Sequence, residues 1–190
     1  MQVWSYVIVV DDGGAPNFER PATTLAICKP SIRRKAKVGD LVIAFTGQSL
    51  CWEPHAVRWA GIVAESLPFK DYWDDPRFQN KKPNVARTKP DNIYYPKGSE
   101  LLQIKNEKHG PKNVTTDLRG ERVLIFKPSW KFNYTSPDAV LPEKFGLRIT
   151  GVRRGHRKRT ISPAQWCELK AWLDSAPRDR QVQNLSGRDC

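Results

Sequence analysis

The apolar residues of this chain come in short runs, which limits the folds available to it. Residues 3–10 are almost unbrokenly apolar and rich in β-branched and aromatic side chains, and the turn formers of "DDGGAPN" follow at once. A run of this length and composition is typical of a central strand covered on both faces. Further short runs predict strands at residues 24–28, 41–45, 58–66, 99–104, 122–126 and 146–155.

Three segments have the pattern of helices. Pro30 followed by "SIRRKAK" predicts one or two helical turns, and residues 68–78 predict a second short helix. The clearest helix is "ISPAQWCELKAWLDS", where Ser162 is placed to cap the helix and Gln165 to close a capping box. Residues 175–190 contain too few apolar side chains to pack, so we expect a mobile tail.

This order of elements predicts an α+β fold. We expect a curled mixed sheet or a small β-barrel of about six strands with short flanking helices. The length of 190 residues is enough for one substantial core, so we expect a single domain over residues 1–174.

The positive charge of the chain favours a polyanionic partner. The net charge is +12, and the cations crowd two segments, "CKPSIRRKAK" and "RRGHRKR". Each Lys or Arg that neutralises a phosphate releases a counterion, so two such segments predict nucleic-acid binding, although solvated surface charge would give the same pattern. The predicted phosphate ligands are Lys29, Arg33, Arg34, Lys35, Arg153, Arg154, His156 and Arg157.

Membrane, secretion and metal signals are absent from the sequence. The longest clean apolar runs are far below the roughly 20 residues of a membrane-spanning helix, and "MQVWSYVIVVDD" does not resemble a secretion signal, so we expect a cytoplasmic protein. The cysteines Cys28, Cys51, Cys167 and Cys190 form no CxxC pair, so we expect free thiols, no metal and no cofactor.

A resemblance to known families rests on two adjoining segments. The block "RRKAKVGDLVIAFTG" followed by "WAGIVAESLPFKDYW" resembles the core of the PUA-like superfamily, particularly its EVE and YTH branches. From "WSYVIVVDDGGAPN" to "DNIY", the chain also resembles the second nucleotide-modification-associated domain family of prokaryotes and phages, over roughly residues 1–160. The resemblance to the EVE and YTH branches implies that an aromatic pocket binds a modified base while a basic surface holds the phosphates.

Candidate base-binding residues lie in the predicted loops and at strand ends. Aromatic rings, including Trp73 and Tyr95, are placed to stack on an unpaired base, and Asn side chains offer a donor and an acceptor to its edge. Asn and Asp are also common turn residues, and a place in the core is an equal alternative for each of these rings. The candidates for the base pocket are Asp12, Asn17, Thr46, Gly47, Trp52, Trp59, Asn92 and Tyr94.

Two other function classes stay open. One is an enzyme acting on nucleotides or nucleic acid, in which His55, His109 or His156 serves as general base with an Asp or Cys nearby in space. A metal-dependent nuclease built on the chain's Asp residues is another form of this alternative. None of these residues stands in a known catalytic spacing, so we expect binding without chemistry and assign no catalytic residue. The other open class is a subunit that contacts a modification enzyme.

Overall fold

The computed structural model describes residues 1–50, 56–84, 89–106, 108–149 and 155–178. The strands are β1 Gln2–Ile8, β2 Thr23–Leu25, β3 Leu41–Thr46, β4 Val57–Pro68, β5 Tyr94–Lys97, β6 Glu100–Gln103, β7 Arg122–Lys131 and β8 His156–Thr160. The α-helices are α1 Pro30–Lys35, α2 Phe69–Asp74, α3 Val114–Leu118 and α4 Pro163–Ser175. In this part of the chain, no helix has the length and hydropathy that a bilayer crossing requires.

The strands form one large and one small sheet. The large sheet has six strands in the order β2-β7-β4-β3-β1-β8, and β5 pairs with β6 in a separate two-stranded sheet. Strand β1 runs parallel to β3 and antiparallel to β8, while β3 and β4 are antiparallel neighbours. The predicted α+β fold with about six mixed strands is confirmed. Over the residues that the structure describes, the sheet is open and does not close into the barrel that we expected as one of two forms.

The Cα positions cluster into two compact units. The first contains Met1–Val10, Gly39–Ile62 and the chain from Pro128 onward, and the second contains Asp11–Val38 and Val63–Lys127. Each has an apolar core of its own. The expectation of a single domain over residues 1–174 stays a prediction.

The first unit is built on β1 and β3. All six residues of β3 and six of the seven in β1 are buried, as predicted for central strands covered on both faces. A Gly-Asp turn precedes β3, where Gly39 has φ 89°, a conformation that favours glycine. Trp4 Nε1 on β1 donates to Asp40 Oδ2 at 2.9 Å, which ties the turn to the neighbouring strand.

Helix α4 completes the core of the first unit. Its predicted capping box is confirmed, because Ser162 Oγ accepts from the Gln165 backbone while the Gln165 side chain accepts from the Ser162 backbone. Leu169 and Leu173 of this helix are fully buried. Beyond the helix, Ala176 is also buried, and the rest of the predicted tail from residue 179 lies outside the described residues.

The strand predicted at residues 146–155 is wrong where the structure describes it. Residues 146–149 form an irregular segment that begins at Gly146, where φ is 57°, and buries Leu147 and Ile149. Arg148 Nε donates to the Leu141 carbonyl at 2.7 Å, so a local loop contact replaces strand pairing. Residues 150–154 lie outside the described residues, and the observed strand, β8, begins at position 156.

The core of the second unit lies among short elements. Phe69 and Tyr72 of α2, Tyr94 of β5, and Val123 and Ile125 of β7 are all buried in it. Strand β2 pairs antiparallel with β7. The predicted helices at Pro30 and within residues 68–78 are confirmed as α1 and α2, and the segment between β2 and α1 carries the candidate site.

Candidate active site and basic surface

Cys28 lies in an unusual backbone turn between β2 and α1. Cys28 has φ 59° and Lys29 has φ 43°, in the left-handed region where residues other than glycine are uncommon. The turn leads directly into α1, which begins at Pro30. Cys28 forms no disulfide, and the residue is partly exposed. Strained backbone of this kind clusters at functional sites, so the neighbours of the thiol are informative.

A continuous chain of hydrogen bonds runs from the Cys28 thiol to a buried carboxylate. Cys28 Sγ lies 3.3 Å from His109 Nε2, and His109 Nδ1 lies 2.6 Å from Asp117 Oδ2. His109 is 9% exposed and Asp117 is 1% exposed, so solvent hardly reaches the pair. Both nitrogens of the imidazole are therefore engaged, one by the thiol and one by the carboxylate.

Asp117, on α3, is the centre of this network. Its Oδ1 atom accepts from the Cys28 backbone N–H at 2.9 Å, and its Oδ2 atom accepts from the Tyr94 hydroxyl at 2.9 Å. Tyr94 in turn accepts from Gln103 Nε2 at 2.9 Å. One carboxylate thus fixes the imidazole and the backbone of the cysteine together.

Arg33 supports the same turn from inside the unit. Its guanidinium group is fully buried and donates to the carbonyls of Cys28, at 2.7 Å, of Arg122, at 2.8 Å, and of Asp117. A Cβ at Gly120 would overlap this group, so the absence of a side chain there leaves room for it. Burial lowers the pKa of Arg33 to about 10, which leaves it charged at neutral pH.

The network stabilises a charged imidazole. Burial disfavours the cation, but the hydrogen bonds to Asp117 and Cys28 outweigh it and raise the pKa of His109 to about 10. Burial and the charge of Asp117 also raise the pKa of Tyr94, so its hydroxyl remains a proton donor to the carboxylate. A thiol, a charged imidazole and a carboxylate in this order are the components of an activated cysteine nucleophile.

Sequence reasoning found only part of this cluster. His109 is one of the three histidines that the sequence offers as a general base, but Cys28 and Asp117 are not among the predicted site residues. Cys28 lies 81 residues before His109, and Asp117 lies eight residues after it. No motif links positions so far apart, and the unusual φ of Cys28 could not be deduced from "CKP".

Two base-pocket candidates of the first unit, Trp59 and Thr46, lie in its interior. Trp59 is fully buried, and its Nε1 atom donates to the Tyr6 hydroxyl at 2.9 Å. Thr46 is buried and donates to the Ala56 carbonyl at 3.2 Å. Gly47 follows it, and its N–H donates to the Ile8 carbonyl at 2.8 Å. Trp52 lies outside the described residues.

The base-pocket candidates of the second unit are also bonded within the protein. Asp12 Oδ1 accepts from the Gly14 N–H at 3.0 Å in a local turn. Asn17 is fully buried, with Nδ2 donating to the Lys89 carbonyl at 3.0 Å. Asn92 is buried and donates to the Tyr72 carbonyl at 3.1 Å, and Tyr94 belongs to the Asp117 network. A base contact by any of these residues stays a prediction.

One aromatic pair in the second unit keeps part of its surface exposed. The rings of Trp73 and Tyr95 have centroids 5.6 Å apart, and both residues are half-buried. Lys82 Nζ lies 3.7 Å from the centroid of the Trp73 ring. This places a cation over one ring of an aromatic pair, a combination that suits contact with a base and its phosphate.

The predicted phosphate ligands around α1 differ in exposure. Arg34 and Lys35 are exposed, Lys29 is partly exposed and Arg33 is fully buried. Arg34 Nη1 lies 3.7 Å from Glu121 Oε1, and both side chains are exposed. Arg33 supports the Cys28 turn, so its contact with phosphate stays a prediction.

Strand β8 carries the other predicted phosphate ligands that the structure describes. Its sequence is HRKRT, all five residues are exposed, and it forms an edge of the six-stranded sheet. His156 and Arg157 lie here, while Arg153 and Arg154 are outside the described residues. Lys158, which is not among the predicted phosphate ligands, places Nζ 5.2 Å from the centroid of the Trp4 ring. The strand therefore presents a row of four basic residues to solvent.

Within the described ranges, no group of three or more His, Cys, Asp or Glu side chains is arranged to hold a metal ion.

The chain thus combines an α+β fold, a basic edge strand in the first unit and, in the second unit, a thiol held against a buried His–Asp pair. The model of the family described as nucleotide modification associated domain 2 matches residues 1–185, so the chain belongs to that family. The predicted resemblance to the second nucleotide-modification-associated domain family is confirmed, and the match extends beyond residue 160. No curated protein and no solved structure gives a significant match. The family description associates the protein with nucleotide modification.

Proposed function

We propose that this domain binds nucleic acid through strand β8 and recognises a modified or flipped base, as part of a nucleotide-modification system. The observation that supports binding best is the row of four exposed basic residues on β8. Contacts of Lys and Arg with phosphates supply affinity that is independent of base sequence. The association of the family with nucleotide modification supports the same partner.

The position of β8 suits a backbone contact. Residues advance by about 3.3 Å along a strand and alternate between its two faces, so His156 and Lys158 lie on one face while Arg157 and Arg159 lie on the other. Arg159 donates to the Gly146 carbonyl at 3.0 Å, which holds its side chain against the unit. Arg157 and Lys158 are therefore our first candidates for phosphate contacts. Charges on an edge strand also prevent pairing with other sheets, so the proposal needs a direct test.

The test compares two double variants that remove the same charge. Arg157→Ala with Lys158→Ala should lower affinity about tenfold or more for every oligonucleotide, because phosphate contacts do not depend on base identity. Lys144→Ala with Lys170→Ala is the control, because these exposed lysines pair with Glu168 and Asp174 in the same unit. Fluorescence anisotropy with labelled oligonucleotides measures the affinity of each double variant. Equal losses in the two double variants would contradict a binding role for β8.

Base recognition is the finer part of the proposal, and Trp73 with Tyr95 is the pair that we assign to stacking. Their partial exposure supports this choice, since a ring must present a face to a base. Stacking contributes about 1–3 kcal/mol per base, so Trp73→Ala should reduce the preference for a modified oligonucleotide over a plain one. Lys35→Ala should lower affinity for both oligonucleotides alike. If Trp73→Ala leaves the preference unchanged, these rings are not the base contact.

A further inference from the structure

We propose that Cys28, His109 and Asp117 form a catalytic site that cleaves an ester or amide bond carried by a nucleotide. Cys28 is the nucleophile, His109 moves the proton, and Asp117 is a positioning residue that orients the imidazole. The nucleotide part of this assignment rests on the proposed function, whereas the thiol chemistry rests on the geometry of the second unit alone. The enzyme alternative that the sequence left open thus takes a specific form.

The geometry meets the requirements for an activated nucleophile. The thiol is 3.3 Å from one imidazole nitrogen and the carboxylate is 2.6 Å from the other, which is the nucleophile, base and orienting-group order of cysteine hydrolases. The carboxylate is buried and also bound by Tyr94, so it has one orientation. The imidazole is thereby held with Nε2 toward sulfur.

The backbone of Cys28 is held on both sides by the same network. Its N–H donates to Asp117 Oδ1, and its carbonyl accepts from the buried Arg33 guanidinium. These bonds maintain a φ of 59° that costs free energy in a residue with a side chain. A merely structural thiol needs no such support. A thiol fixed against an imidazole on a partly exposed residue is the arrangement expected where a thiol must meet a substrate.

The charge of the site favours a cationic imidazole beside the Cys28 sulfur. Because the pKa of His109 is raised to about 10, its cationic form persists at neutral pH beside the sulfur. The buried Asp117 carboxylate lies 2.6 Å from His109 Nδ1 and offsets this positive charge within the site. The thiolate is the reactive form of cysteine, so an imidazole nitrogen 3.3 Å from Cys28 Sγ suits a nucleophile.

The reaction balances with water as the only co-reactant. The thiol proton passes to His109 Nε2, sulfur bonds to the carbonyl carbon, and the carbonyl π electrons move to oxygen. Their return breaks the bond to the leaving nitrogen or oxygen, which takes the proton from His109. Water then attacks the thioester and gives a proton to His109, and the sulfur–carbon bond breaks. The products are an acid and an amine or alcohol, with the thiol restored.

The first experiment compares two cysteines within one wild-type molecule. Iodoacetamide alkylation, followed by peptide mass spectrometry from pH 5.5 to 9, gives separate rates for Cys28 and for Cys167 on α4. Cys28 is less exposed than Cys167, so exposure alone predicts the slower rate for Cys28. If the imidazole of His109 stabilises the Cys28 thiolate, we expect Cys28 to be alkylated at least about tenfold faster than Cys167 at pH 6. Its alkylation rate should then change little with pH up to 8. A slower Cys28 whose rate follows that of Cys167 would overturn the proposal.

The second experiment tests the acyl chemistry with p-nitrophenyl acetate. We expect a burst of p-nitrophenol equal to one per protein and an acetyl group located on Cys28 by mass spectrometry. Cys28→Ala should abolish the burst, while Cys167→Ala should keep it. His109→Gln should remove the pH-independent alkylation of Cys28, with circular dichroism to establish folding. Alkylation of Cys28 without acetylation would overturn the assignment to acyl cleavage.

Both experiments are carried out without nucleic acid. A failure of oligonucleotide binding therefore leaves their outcome unchanged, and a failure of Cys28 reactivity leaves the β8 proposal standing. The two proposals are thus contradicted by different results.

Discussion

At the scale of single residues, the second unit buries cations and supplies each with oxygen acceptors. Lys81 is fully buried, and its ammonium donates to the Ala22 carbonyl at 2.7 Å, to Thr24 Oγ1 at 2.8 Å and to Asn17 Oδ1 at 3.2 Å. The Thr24 hydroxyl donates a hydrogen bond to Asp91 Oδ2. Burial raises the pKa of this Asp91 carboxyl. A buried charge is tolerated only with such partners. Composition alone assigns charged side chains to the surface, so their burial could not be predicted from the sequence.

The adjacent residues Arg33 and Arg34 provide a matched test of this point. Arg33→Lys replaces a buried planar group that bonds three carbonyls with one that cannot span them, so it should lower the free energy of unfolding by about 2–4 kcal/mol. Arg34→Lys alters an exposed side chain and should change it by less than about 0.5 kcal/mol. Urea unfolding measures both. Similar values for the two variants would contradict the supporting role of Arg33.

The ionisation of His109 is a second residue-scale prediction. Its folded pKa of about 10 is above the ordinary 6.5, so the folded state favours the imidazolium. Its contribution to stability is complete below pH 6.5 and is lost as pH rises toward 10. NMR of the imidazole ring, assigned with His109→Gln, should show a cation at pH 8. A midpoint near 6.5 would show that Asp117 and Cys28 do not stabilise the charge.

Only one of the three residues of the thiol site was a sequence candidate for chemistry. A histidine is always a possible base, so His109 could be named from its type alone. The roles of Cys28 and Asp117 depend on a left-handed turn and on the docking of α3, and both arise from tertiary contacts. His109 could therefore be proposed from its residue type, whereas Cys28 and Asp117 could be identified only from the fold.

At the scale of elements, the sequence predicted β1, β3 and β4 well because each combines strand length with β-branched residues. Strand β8 was missed because HRKRT has no apolar residue and no alternation. It forms a strand through its backbone pairing with β1, from Gln2 with Thr160 to Tyr6 with His156. Periodicity reports burial, so it cannot identify an edge strand with every side chain exposed.

The N-terminus of α4 offers an element-scale prediction. Ser162→Ala removes the side-chain half of a capping box and should lower the free energy of unfolding by about 1 kcal/mol. Ser175→Ala, at the opposite end of the same helix, is the control, and we expect a change of less than about 0.5 kcal/mol. Thermal or urea unfolding gives the comparison. Equal effects would contradict the capping contribution of Ser162.

At the scale of the whole molecule, composition predicted the fold class and the sign of the surface charge. Short apolar runs predicted an α+β fold with about six strands, and the net charge of +12 predicted basic surfaces. The order β2-β7-β4-β3-β1-β8 and the open sheet could not be predicted, because strand order depends on contacts between distant segments. The burial of Trp59 and Asn17 was missed for the same reason, since loop and core positions look alike in composition.

The central claim is that this domain holds nucleic acid by its phosphates through β8. The most direct measurement is oligonucleotide affinity from about 50 to about 200 mM salt, for the wild type and for Arg157→Ala with Lys158→Ala. We expect the logarithm of the association constant to fall linearly with the logarithm of salt concentration. Each lost phosphate contact should reduce the slope by about 0.7–0.9, so the double variant should lose about 1.4–1.8. An affinity that does not change with salt, or an identical slope in the double variant, would contradict the claim.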